Sequence, residues 1–145
     1  MRFVYPFQQI VDLKTNEKKQ AESELSEAIN NLNVVELEMN ELKKNQWHQK
    51  QGLHELASEG VSIAHLLQKQ QYIDFLEDRI QQSQKRMSLA EQAVEDSRKT
   101  LTDRMVDEKV WLQTKEKAKV AFQTSMLQIE QNQLDEMATM RTFSR

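Results

Sequence analysis

The chain has no cysteine, one proline and two glycines among its 145 residues, and only 6 % of them are aromatic. Without cysteine there is no disulfide, redox or thiolate chemistry, and a reducing compartment suits the chain. So little glycine and proline leaves almost nothing for tight turns or phosphate-cradling loops, and so few aromatic and β-branched residues leave little from which to build a sheet. No apolar run approaches the roughly 18–20 residues that a membrane-spanning helix requires, and Met1–Leu13 lacks the apolar core of a secretory leader. The 20 basic and 23 acidic residues give a net charge of −3, so no broad basic footprint for nucleic acid is present. What remains is rich in helix formers, with 30 % charged residues and 18 glutamines. The composition predicts an elongated, soluble all-α protein whose partners are proteins, not nucleic acid, and which does not insert into a membrane.

One turn is written into the chain, at 58–62, where Gly60 can take the left-handed cap position and Ser62 can cap a new helix. Pro6 suits the first turn of a helix, since its missing N–H would be unpaired there. The reading is a single coiled-coil domain over 1–145, with helix one at about 6–57 and helix two at about 63–140. Gly52 falls inside helix one, because an isolated glycine costs only about 1 kcal/mol against alanine.

Alternating steps of three and four from Val4 pass through Phe7, Val11, Lys14, Lys18, Ala21, Leu25, Ala28, Leu32, Val35, Met39 and Leu42, then Gln46, Gln49, Leu53 and Leu56. The same stepping in helix two passes through Leu66, Lys69, Ile73, Leu76, Ile80, Ser83, Met87, Ala90, Val94, Ser97 and Leu101. These mostly apolar stripes are coiled-coil seams. After Leu101 the apolar choices imply a second step of four, to Met105, and then Glu108, Leu112, Phe122, Met126 and Ile129, a stutter that would unwind the supercoil locally. Folding back at Gly60 makes a long antiparallel two-helix hairpin in which Phe7 meets Leu112 and Lys14 lies near Glu108. At 1.5 Å per residue, helix one spans roughly 78 Å and helix two roughly 117 Å. Beyond about Gln113 the second helix outruns the first, leaving Ala118, Ala121, Phe122, Met126, Ile129, Leu134 and Met137 without an internal partner, and such a stripe implies an external one.

Chemistry has little to work with. His48, His54 and His65 are not spaced at three or four residues, so no metal site is expected. A two-helix structure has no concave pocket in which to desolvate paired carboxylates, and no nucleophile sits in a motif with a base, so neither catalysis nor a cofactor is expected. Lys109, Lys115, Lys117 and Lys119 give the overhang a basic flank, read either as solvated helix surface or as a complement to an acidic ring or groove. Tyr72 lies off the seam near the turn, beside Gln70 and Gln71, as a candidate interface aromatic.

The opening Phe7-Gln8-Gln9-Ile10-Val11-Asp12-Leu13-Lys14 with Glu17-Lys18, the segment Gly60-Val61-Ser62 leading to Gln70-Gln71-Tyr72 and Leu76, and the tail Leu134-Asp135-Glu136 with Arg141 resemble the FliJ family of flagellar type III export. The resemblance spans nearly the whole chain. It implies a non-catalytic coiled-coil stalk, monomeric when free, that is cytoplasmic and peripheral to the inner-membrane flagellar basal body. It further implies three partners: a hexameric export ATPase, the cytoplasmic part of the membrane export gate, and export chaperones. Gate binding carries over to Tyr72, Leu76 and Leu42, while Asn45 and Gln49 stand where family members can carry aromatics. The ATPase-ring contact is assigned to Phe122, Met126, Ile129 and Leu134, with Lys115, Lys117 and Lys119 orienting the stalk. An export escort chaperone, a dimeric coiled-coil scaffold and the equivalent stalk of a virulence-type secretion system are the competing readings.

Overall fold

The structure, a computed structural model, describes residues 2–144. It consists of two helices, α1 (Gln8–Ser58, 51 residues) and α2 (Ile63–Phe143, 81 residues). The fold is an all-α antiparallel coiled-coil hairpin whose second helix is the longer, and no strand is present among the described residues.

The reversal between the helices is local chemistry. Gly60 has φ +75°, the Val61 N–H donates to the Leu56 carbonyl (3.4 Å) and the Gly60 N–H to the Ala57 carbonyl (3.4 Å). This pattern satisfies the last carbonyls of α1 through a left-handed residue, the conformation that glycine adopts without a Cβ penalty. Two residues on, the His65 N–H reaches both the carbonyl (3.1 Å) and the Oγ (3.4 Å) of Ser62, which caps the start of α2. At the other end of α1, Pro6 sits in a turn closed by the Gln8 N–H and the Tyr5 carbonyl (3.2 Å), and the helix begins at Gln8. The fixed φ of proline serves the second position of a β-turn as well as the first turn of a helix.

The chain divides into two compact units, Ala21–Leu101 and the chain up to Gln20 together with the chain from Thr102. In the first, the buried residues are Ala21, Val35, Met39, Ile73, Leu76, Ile80, Ser83, Ala90 and Val94. All lie on the three-four stepping, so the apolar stripe of each helix is the core. Burying each larger aliphatic contributes about 1.5–3 kcal/mol. The core is one side chain deep, and among the described residues no large side chain is completely enclosed.

In the second unit the seam is more polar. Arg104, Glu108, Trp111, Lys115, Ala118 and Phe122 are half-buried, continuing the stepping from Leu101 without a slip, and half-buried Met126 follows after a second step of four. Met105 and Leu112, expected on the seam after a stutter, are instead 51 % and 43 % exposed on the outer face of α2. The stutter is absent because the polar seam positions have partners. Lys18 Nζ donates to Glu108 Oε1 at 2.9 Å, and Arg104 Nη1 lies 3.5 Å from Glu17 Oε2. Glu108 thus pairs one turn further along α1 than the expected Lys14, which lies 3.6 Å from Glu17 instead. Likewise Phe7 meets Trp111 (ring centroids 6.2 Å apart), not Leu112. Phe122 is not bare either. The segment before α1 brings the Phe3 ring to 5.5 Å from it, and Phe3, Tyr5 and Phe7 form a chain of ring contacts. Beyond Met126 every described residue is exposed.

The two glycines should respond in opposite directions to substitution. A Cβ at Gly60 would meet nothing within 4 Å, so only the left-handed backbone resists it, and Gly60→Ala should destabilise by about 1–2 kcal/mol. Gly52 is helical, with only the Lys69 Nζ 4.0 Å from a built Cβ, and Gly52→Ala should stabilise by roughly 0.5–1 kcal/mol. Urea unfolding followed by far-UV circular dichroism reads both.

Candidate functional site

Near the turn, in the unit Ala21–Leu101, the two helices frame a shallow groove of about 510 Å³ lined by Glu38, Leu42, Asn45, Arg79, Ser83 and Arg86, among others. Leu42 is a half-buried seam residue at its floor. Ser83 is 3 % exposed, and its Oγ has no hydrogen-bond partner among the described residues. Arg86 Nη1 lies 3.2 Å from Glu38 Oε2 across the helices, an exposed pair worth little on its own. Arg79 carries its guanidinium 5.8 Å from the centroid of the Phe75 ring.

Polar residues continue the seam toward the turn. Asn45 Nδ2 donates to the Tyr72 hydroxyl (3.2 Å), Gln46 Nε2 to Glu77 Oε2 (2.6 Å), and Lys69 Nζ to Gln49 Oε1 (3.0 Å). Asn45 and Gln49 therefore fix their own neighbours by hydrogen bonds. Tyr72 is 42 % exposed and its ring stacks on Phe75 (centroids 6.2 Å apart), so the two present one aromatic surface beside Arg79. Leu76 is 2 % exposed, packed in the seam, and reaches a partner only if the seam opens. Of the three residues assigned to gate binding, Tyr72 offers exposed surface and Leu42 a groove floor. Arg79, Arg86 and Glu38 escaped sequence reading, since charges flanking a seam look like ordinary solvated helix surface.

The residues assigned to a ring contact lie in the other unit. Lys115 is half-buried at a recess formed with Arg2, Phe3, Val4, Tyr5 and Gln8, whereas Lys117 and Lys119 are exposed. Phe122 and Met126 are half-buried, and Ile129 and Leu134 are exposed. The chain thus offers cations and apolar side chains on one continuous helix. Among the described residues no cluster of three or more histidines and carboxylates could hold a metal, and no helix is long and apolar enough to cross a membrane.

A two-helix coiled coil with an uncovered helical extension and shallow surface grooves defines an interaction protein. The flagellar FliJ protein family matches residues 3–145, and the chain belongs to that family. It is accordingly a coiled-coil component of flagellar type III export, within a family of non-enzymatic export components. A structure of a chain described as a YscO homologue from Chlamydia trachomatis is similar in fold, with a TM-score of 0.57, 22 % identity, and coverage of 96 % of this chain and 94 % of that one. The search of curated proteins found no match.

The Glu108–Lys18 pair makes the stability of this unit sensitive to acid. Hydrogen bonds from Lys18 and then Thr15 hold the Glu108 carboxyl below the usual carboxylate range, against the opposing effect of desolvation. A folded-state pKa below the unfolded one means that the contribution is present above the unfolded pKa and is lost as pH falls through the folded one. Glu108→Gln should therefore lower the unfolding midpoint at neutral pH and flatten its fall on acidification relative to the parent chain. Thermal unfolding at a series of pH values from neutral into the acid range checks this, and parallel curves would exclude the pair as a contributor.

Proposed function

We propose that this chain is the non-catalytic stalk of a flagellar export ATPase. Its uncovered α2 extension enters the hexameric ring, the surface near the turn contacts the cytoplasmic part of the membrane export gate, and helix surface is left for export chaperones. The observation that carries the reading is the run from Leu127 to Ser144, where α2 has no covering helix yet displays Ile129, Leu134, Met137 and Met140. A helix with an unpaired apolar stripe has a face for an external partner, and membership of a flagellar export family supplies the class of partner. Methionines suit such a face because their unbranched side chains adapt to neighbouring surfaces, and Lys117 and Lys119 provide charges that orient the approach. On this reading the protein acts in the cytoplasm at the base of the flagellum and has no cofactor.

At the gate, the reading rests on Tyr72 and on the groove around Leu42. Exposed aromatics next to arginine are the residue types that dominate binding energy at interfaces.

Adding the purified protein to its export ATPase should raise ATP turnover. Met126→Ala with Ile129→Ala should raise the concentration needed for half-maximal stimulation by on the order of tenfold, the effect of losing about 1.4 kcal/mol. Met126 and Ile129 lie beyond the ring contacts of Phe3 and Phe122, so circular dichroism should show the helix content unchanged. Unchanged stimulation by a folded variant would remove these residues from the ring contact. In a separate assay, Tyr72→Ala should weaken binding to the gate's cytoplasmic part by a similar factor; equal affinity would remove Tyr72 from that surface.

A further inference from the structure

The segment ahead of α1 reaches α2 without forming helix. Pro6 disfavours helical backbone at Tyr5, and the chain from Arg2 to Tyr5 is irregular. Phe3 is half-buried and Tyr5 buried, whereas Val4 between them is 76 % exposed, so alternate side chains face α2. α1 starts only at Gln8, and it is the Phe3 ring, 5.5 Å away, that lies against Phe122. Lys115 is half-buried in a recess of about 330 Å³ that Phe3, Val4 and Tyr5 help to line. The segment therefore covers two of the α2 residues assigned to the ring contact, while Lys117 and Lys119 stay open.

What holds the segment down is slight. Among the described residues, no side chain from Arg2 to Phe7 makes a hydrogen bond or an ion pair. The backbone is tied only where it enters α1, by the Tyr5 and Phe7 carbonyls, and ring contacts supply the rest. Against them stands the Tyr5 hydroxyl. Tyr5 is 7 % exposed and its Oη has no hydrogen-bond partner among the described residues, a desolvation cost that the docked segment bears and a released one does not. Few hydrogen bonds and an opposing buried group mark a segment that opens at low free energy.

We propose that residues 2–7 are a displaceable strap, closed over Phe122 and Lys115 in the free protein and released when a partner takes that stretch of α2. The proposal rests on the reading that these two residues contact the ATPase ring. A partner that needs the strap open binds with its intrinsic affinity reduced by the open fraction, so loosening the strap strengthens binding and tightening it weakens binding. A segment that was itself part of the contact would give the opposite signs.

Two substitutions shift the strap in opposite directions and leave α2 untouched. Tyr5→Phe removes the unpartnered hydroxyl and keeps the ring, whereas Phe3→Ala removes the ring that lies on Phe122. Closure is read in the full chain without any partner, from the rate at which an amine-acylating ester modifies Lys115 relative to exposed Lys117 and Lys119. Phe3→Ala should raise the Lys115 rate several-fold, and Tyr5→Phe should lower it and raise the thermal unfolding midpoint. With the export ATPase present, Phe3→Ala should lower the concentration for half-maximal stimulation several-fold, and Tyr5→Phe should raise it. Equal Lys115 rates in the three chains would overturn the strap. A higher half-maximal concentration for Phe3→Ala would overturn displacement and make the segment part of the contact. A parent chain that leaves the ATPase unstimulated while the Lys115 rates diverge would overturn the stalk reading and uphold the strap.

Discussion

Each helix in this protein has one neighbour and therefore one stripe to bury. That constraint governs everything else. A bundle or sandwich encloses side chains from several directions, but two helices shield a seam residue only from the front and leave its flanks to water. The core is accordingly made of residues that fill a narrow seam: Val35, Met39, Ile73, Leu76 and Ile80, with the smaller Ala21 and Ala90. The grooves at Leu42 and at Leu112 therefore lie open between or beside the helices.

A thin seam also tolerates charge. Lys18, Arg104, Glu108 and Lys115 occupy seam positions as half-buried residues, where long charged side chains can lay their aliphatic stems on apolar surface and keep their heads in water. The Arg104–Glu17 pair adds little net stability at its exposure, and the more enclosed Lys18–Glu108 pair adds a modest contribution. Their consequence is specificity, since a shift of one turn would leave both carboxylates without their cations. This explains why α2 keeps its register past Leu101 although Met105 and Leu112 offer an apolar alternative one step away.

The seam from Val11 to Leu101 was legible because period-3.5 apolarity has few other physical causes, and the turn because Gly60 and Ser62 have the conformational and capping roles that end one helix and start the next. Past Leu101 the same logic misled. Choosing the apolar residue at each step selected Met105 and Leu112, whereas the structure uses Arg104, Glu108 and Trp111, whose partners Glu17, Lys18 and Phe7 lie 87 to 104 residues away in sequence. The contact of Phe3 with Phe122 was hidden for a related reason, since residues before a helix carry no periodicity to align. Of the candidate surface near the turn, Tyr72 could be read because an aromatic stood off the stripe. Arg79, Arg86 and Ser83 converge there only once the helices are paired.

The overhang follows from the difference in helix length. From Leu127 onward α2 has no seam, and what sustains it is local: the Gln131 side chain on Asp135 (3.4 Å) and the Thr139 and Thr142 hydroxyls on preceding carbonyls (2.9 and 3.0 Å). A lone segment of this length is marginal in water even with good helix formers, so the helix here lacks the tertiary packing that stabilises it elsewhere. Docking that stripe against another protein would supply the missing packing, and each backbone position thereby ordered would subtract from the affinity gained. Helix consolidation and binding would then be one equilibrium, which favours an interface that forms specifically yet releases.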